Sequence, residues 1–230
     1  MSETSIEYLT HGKIRLALHS LRDPLTSEGR PLLLLHGLGE LATTEVPEWA
    51  ASWPGRIAAL DFTGHGASTV PQGGGYTAEL LLADADVAMA ALTEHDPERQ
   101  ITVVGRGLGA YVALQLAGAR ASQVHGAVLC DGPGLIGGST VPTSQSVFRL
   151  PPGGSAPDPY ALLELGRDLR PPDYATSFVR LALEGSTLDD PIAVCAMVRP
   201  EWLEAVVKEP GVLDVDLDEA LSLYAQPTTR

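Results

Sequence analysis

Short, unbroken apolar runs alternate with longer helical stretches through the first 131 residues of this chain. PLLLLHG (31–37), RIAALD (56–61), ITVVG (101–105) and VHGAVLCD (124–131) carry apolar residues at consecutive positions, as strands covered on both faces do. Ahead of them, SIEYLTH and KIRLALHSL flank Gly12 with partial two-residue alternation, which predicts an opening hairpin over 5–21. TAELLLADADVAMAALTEH (77–95) reads as a helix with Thr77 as its N-cap. A second helix is expected over 108–119 and a shorter helical piece over Glu45–Trp53. Strands alternating with helices at this spacing predict an α/β fold: a mostly parallel, doubly wound sheet with helices on both faces.

Beyond Asp131 the pattern changes. DGPGLIGGSTVPTSQ and LPPGGSAPDP are rich in Gly, Pro and Ser, and they surround helical stretches at 159–170 and 173–185. This span, about 132–190, reads as a cap inserted above the sheet. PIAVCAM (191–197) then rejoins the sheet, followed by a helix over 201–208, a strand in GVLDVD (211–216) and a last helix over 218–225.

Composition narrows the function classes. A chain of 230 residues that is 44% hydrophobic buries one large core, so a single domain is expected. No run of 18 apolar residues is present, which excludes a membrane helix by length. The opening MSETSIEYLT lacks the basic start and apolar stretch of a secretory signal, so a cytoplasmic protein is expected. A formal charge of −14 argues against nucleic acid as a partner, because phosphate binding needs concentrated Lys and Arg. Cys130 and Cys195 lie inside apolar runs and read as small buried hydrophobes, not as a disulfide or a metal site. No His, Cys and carboxylate spacing suits zinc, no cofactor is implied, and nothing in the pattern specifies an oligomer.

Candidate chemistry enters through three turns. PLLLLHGLG places a His-Gly turn after the first buried strand, LDFTGHGAS carries D-x-x-G-H-G-x-S after the second, and VVGRGLGA follows the third. In this order and at these intervals they resemble the α/β-hydrolase superfamily, in which VVGRGLGA corresponds to the nucleophile elbow, G-x-S-x-G. The resemblance covers residues 5–131 by motif and the remainder by topology. It implies an oxyanion hole made by the N–H groups of Leu38, after His36-Gly37, and of Leu108, after the elbow.

Gly107 stands where that superfamily carries Ser, Asp or Cys. The strained turn is easy for glycine, so Gly107 keeps the backbone and lacks the reacting atom. All six histidines lie within the first 125 residues, so none follows the last strand, where the resemblance expects the base. His36 and His65 read as packed, hydrogen-bonded turn residues. Asp131, at a strand end, is the candidate acid, with a turn-forming role equally open. Arg106, just before the elbow tip, is expected to pair with a carboxylate of the cap, or else to meet a ligand's negative group.

The preferred expectation is a non-catalytic or non-hydrolytic relative. It would bind a small carbonyl- or carboxylate-bearing molecule near Gly37, Leu38, Arg106 and Leu108, or use that surface for a protein partner. One alternative is a hydrolase or lyase in which a bound water attacks with help from Asp131. Another is a dinucleotide-binding loop, since Gly105, Gly107 and Ala110 satisfy G-x-G-x-x-[GA] with Asp131 at the end of the next strand.

Overall fold

The computed structural model describes residues 5–27, 29–138 and 157–226. The apolar runs become the inner strands of one sheet: β3 (Leu32–Leu35), β4 (Ile57–Asp61), β5 (Ile101–Arg106) and β6 (Val124–Cys130). The hairpin gives β1 (Ser5–His11) and β2 (Ile14–Arg22), and the sheet ends in β7 (Ile192–Val194) and β8 (Val212–Asp214). Strand order is β1-β2-β4-β3-β5-β6-β7-β8. β2 pairs antiparallel with β1 and β4, and every other pairing is parallel.

Two-residue periodicity decides which face each strand residue serves. Leu33, Leu35, Ala58, Leu60, Val103 and Leu129 face one layer, built by α1 (Ala78–Leu92), α2 (Leu108–Ala119), α4 (Pro172–Gly185) and α5 (Glu201–Val207). Leu32, Leu34, Ile57, Ala59, Val104 and Val128 face the other, covered by α6 (Leu217–Tyr224) and a loop around Trp53. The helical piece expected over Glu45–Trp53 is only a single 3-10 turn, Glu48–Ala50, confined between Pro47 and Pro54. Thr77 caps α1 as expected, its side chain accepting from Leu80 N–H at 3.2 Å.

The span read as a cap divides. Residues 139–156 lie outside the described residues. α3 (Pro159–Arg167) sits over the turns at the carboxyl ends of β3 and β4. There Asp158 accepts from Tyr76 Oη at 2.7 Å, and Glu164 accepts from Gly75 and Tyr76 N–H at 2.7 Å each. α4 instead packs on α2 and α5, burying Ala175, Val179 and Ala182. A Cβ at Gly118 of α2 would stand 2.7 Å from the Phe178 carbonyl oxygen, which explains the close crossing of these two helices.

Candidate functional site

Parallel strands bring their carboxyl ends, and the loops that follow them, to one edge of the sheet, where α/β folds place their chemistry. Asp61 organises the turns there. Its carboxylate accepts from His19 Nε2 at 2.8 Å, Ala42 N–H at 2.8 Å and Ala67 N–H at 2.9 Å. Those donors hold its pKa below the ordinary value even though burial pushes the other way. His36 donates from Nδ1 to the Gly37 carbonyl at 2.8 Å and accepts at Nε2 from Phe62 N–H at 3.2 Å. His65 donates to the Thr63 carbonyl and accepts from Gly39 N–H. Both rings are neutral: burial depresses their pKa values, that of His36 to about 3. They brace the turns, the packed role expected of them.

The β5–α2 turn has the conformation of a nucleophile-bearing elbow. Gly107 lies at φ 58°, ψ −119°, a region that glycine enters without strain. The flanking glycines serve packing. A Cβ at Gly105 would meet the Gly109 carbonyl at 2.1 Å, and one at Gly109 would meet the Leu35 carbonyl at 2.5 Å.

Leu38 and Leu108 N–H converge on one point, as the resemblance implied for an oxyanion hole. That point is occupied by the protein itself. Both donate to the carbonyl oxygen of Pro133, each at 2.9 Å. The same oxygen would lie 2.0 Å from a Cβ at Gly107, and the Gly132 carbonyl carbon 2.6 Å from it. Residues 132–135 thus fill the space above the elbow, and Gly37 packs against Pro133 from the other side.

This segment is held from behind as well. Arg170, 4% exposed, donates to the Gly134 and Leu135 carbonyls while stacking over Tyr111, its carbon Cζ 4.8 Å from the ring centre. Burial lowers the Arg170 pKa to about 10, which leaves it charged at neutral pH. Trp202 Nε1 donates to the Leu135 carbonyl at 2.9 Å. Pro133, Arg170 and Trp202 were not singled out in the sequence. D-G-P-G signals a turn, but its partners lie 25 to 95 residues away and leave no local signature.

Asp131 stands at the end of β6 with its carboxylate turned to the loop after β7. It accepts from Met197 N–H at 2.7 Å and Val198 N–H at 3.0 Å. It therefore ties two loops together, and Asp131→Asn, which keeps one acceptor oxygen, is expected to cost about 1 kcal/mol in urea unfolding. In that next loop Arg199 forms a two-pronged pair with Asp214 of β8, at 2.9 and 2.5 Å. Arg106 pairs with a carboxylate, but not one of the cap: its Nε lies 3.2 Å from Oε2 of Glu40, in the loop after β3, which also accepts from Gly37 N–H at 3.0 Å.

Beside the filled elbow lies a cavity of about 540 Å³, on the α6 side of the sheet edge. Leu34, Trp49, Val104 and Leu217 form its apolar wall, while Glu40, Thr43, Arg106, Cys130 and Asp131 supply polar groups. Between β3 and β4 the chain contributes one 3-10 turn, and Pro47 and Trp49 of that stretch line the cavity. Among the described residues no group of His, Cys and carboxylates is placed to hold a metal, and no helix is long and apolar enough to cross a membrane.

The dinucleotide reading does not survive this arrangement. β5 is flanked by β3, which precedes it in sequence, whereas a dinucleotide-binding unit opens its sheet. The first N–H of α2, which would receive a pyrophosphate, already bonds Pro133.

Comparisons with known proteins agree with this architecture. The thioesterase domain from the curacin biosynthetic pathway aligns over 96% of this chain and 98% of its own, with a TM-score of 0.61 and 17% identity. A membrane phospholipase A, described as a bacterial virulence factor, aligns over 92% of this chain and 78% of its own, with a TM-score of 0.54 and 16% identity. A hydrolase from Pseudomonas aeruginosa is 27% identical over 55% of this chain, at a TM-score of 0.43, and the chain spans 45% of that protein's length. No curated protein matches the sequence. The family model described as the alpha/beta hydrolase family matches residues 32–228, which is most of the chain. With that match and the eight-stranded sheet that carries the elbow turn, this protein belongs to the alpha/beta hydrolase family.

Proposed function

We propose that this protein is a ligand-binding member of its family that does not hydrolyse esters through a covalent intermediate. One observation carries the reading: both N–H groups that would stabilise an oxyanion end on the protein's own Pro133 carbonyl. A preorganised donor pair contributes to catalysis only where a substrate oxygen can reach it, and here an internal peptide holds that place. Gly107 offers no atom to acylate, and the sequence has no histidine beyond His125 to act as base. A water activated by Asp131 is disfavoured too, since each of its carboxylate oxygens already accepts a backbone N–H.

Binding then moves to the adjacent cavity. Its size suits a small organic molecule, and its lining, mostly apolar with few polar groups, is that of a ligand site. Arg106 is the cation on its wall, so the ligand class we favour is an apolar molecule ending in a carboxylate or a carbonyl. A carboxylate would compete with Glu40 for the Arg106 guanidinium, and a carbonyl would accept from it without displacing that pair.

The test has two arms. A fluorophosphonate probe and a panel of esters, thioesters and epoxides should give neither labelling nor turnover. A thermal-shift screen of medium-length carboxylic acids should find stabilising ligands. Arg106→Ala should weaken them about 10- to 100-fold, the worth of one charge-assisted hydrogen bond. Covalent labelling in the cleft, or turnover of any of these substrates, would overturn the proposal.

A further inference from the structure

The two cysteines, expected as separate buried hydrophobes, are free, half-buried and side by side. β6 and β7 run parallel with Val128 opposite Ala193 and Leu129 opposite Val194, so Cys130 and Cys195 each come one residue past the last paired step. The Leu129 carbonyl accepts from both Cys195 N–H, at 2.9 Å, and Ala196 N–H, at 3.1 Å, which fixes that register just past the last paired residues. Residues opposite one another on neighbouring strands lie about 5 Å apart, inside the Cα separation that a disulfide spans. Both side chains pack against the same apolar cluster on the α6 side of the sheet.

Their surroundings differ. Cys130 lines the cavity wall and stands opposite Arg106 in the β5–β6 register. The Cys195 hydrogen bond and the Arg106 charge draw its thiol pKa down, against burial and Asp131. Cys195 is pushed up by the same hydrogen bond, by burial, and by Asp214 and Asp216. A thiol on a cavity wall with its pKa drawn down, beside a second thiol whose pKa is pushed up, is the arrangement that peroxide-sensing cysteines need.

We propose that Cys130 and Cys195 form a reversible dithiol–disulfide pair in the cavity wall, oxidised by hydroperoxides, with Cys130 reacting first and Cys195 resolving. In the first step the Cys130 thiolate attacks one peroxide oxygen and the O–O bond breaks. Hydroxide leaves and takes up a proton, and Cys130 becomes a sulfenic acid. In the second step the Cys195 sulfur attacks the Cys130 sulfur, giving up its proton. The S–O bond breaks, water leaves and the S–S bond forms. Two electrons pass from the sulfurs to the peroxide, and a thiol reductant reverses the change. The pair is independent of whether the cavity takes a ligand.

The experiment exposes the folded full-length chain to hydrogen peroxide and follows titratable thiols and intact mass. Both thiols should disappear with the loss of two hydrogens and no intermolecular cross-link, and dithiothreitol should restore them. Cys195→Ser should stop at one added oxygen on Cys130, trappable by dimedone. Cys130→Ser should react about tenfold more slowly than the unaltered chain, since burial, Asp214 and Asp216 still hold the pKa of the remaining thiol up. Two thiols persisting in the unaltered chain, at peroxide doses that oxidise free cysteine, would overturn the proposal without recourse to any variant. So would Cys130→Ser reacting as fast as the unaltered chain.

Discussion

Gly107→Ser, the substitution that would rebuild the family's elbow motif, is expected to produce no esterase and to destabilise the fold by about 3 kcal/mol or more. The new Cβ would lie 2.0 Å from the Pro133 oxygen, and the backbone there has a positive φ of 58°. Each problem alone is worth about 1–3 kcal/mol. Relief would require residues 132–135 to retreat, yet Leu38, Leu108, Arg170 and Trp202 all hold that segment in place. Urea unfolding of the variant measures the cost, and a fluorophosphonate probe measures any nucleophile gained. Labelling of the variant with unchanged stability would mean that the Gly132–Leu135 segment leaves the elbow at little cost.

Stability is expected to fall steeply on acidification, beginning near pH 6.5. Burial lowers the pKa of His36 to about 3 and of His125 to about 4, and lowers that of His65 as well. In the unfolded chain each titrates near 6.5. Between those values the unfolded state binds more protons than the folded one, so folding weakens as the pH drops. Each histidine contributes on the order of 1 kcal/mol per pH unit inside its window. Asp61, held below its ordinary value, adds loss as pH falls through the carboxylate range. Asp84 acts in the opposite sense there, because burial raises its pKa. Urea midpoints measured between pH 7 and 4 check the slope. His125→Leu should flatten it by about one proton, since this ring packs edge-on against Tyr224 and its Nδ1 has no hydrogen-bond partner. A flat profile from pH 7 to 5 would contradict the buried neutral histidines.

Much of the scaffold is legible in local pattern. Runs such as LLLL and IAALD have apolar residues on both faces, and only a strand sandwiched between layers buries both. α2 falls on 108–119 as read, because Gly107 opens it and Arg120 ends its apolar run. Thr77 marks the start of α1 through a bond made within its own turn. Where the reading strayed, distant contacts were responsible. Glu45–Trp53 has helical periodicity, but two prolines and the Trp53 Nε1 bond to the Arg30 carbonyl hold it as a loop. The sequence marks 159–170 and 173–185 equally as helices of a cap, yet α4 packs on α2 and α5, where Phe178 crosses close over Gly118.

The site divides along the same line. Alone, the sequence determined the family's turns, the glycine at the elbow tip, the missing late histidine and the Arg106 charge beside them, because each is a matter of residue identity at a fixed interval. Only the tertiary structure decided that the donor pair is filled by Pro133, that Asp131 serves a neighbouring loop, and that two cysteines 65 residues apart come to the ends of adjacent strands. The reason is physical: a turn's conformation depends on the few residues that form it, whereas what fills the space above that turn depends on where the rest of the chain packs.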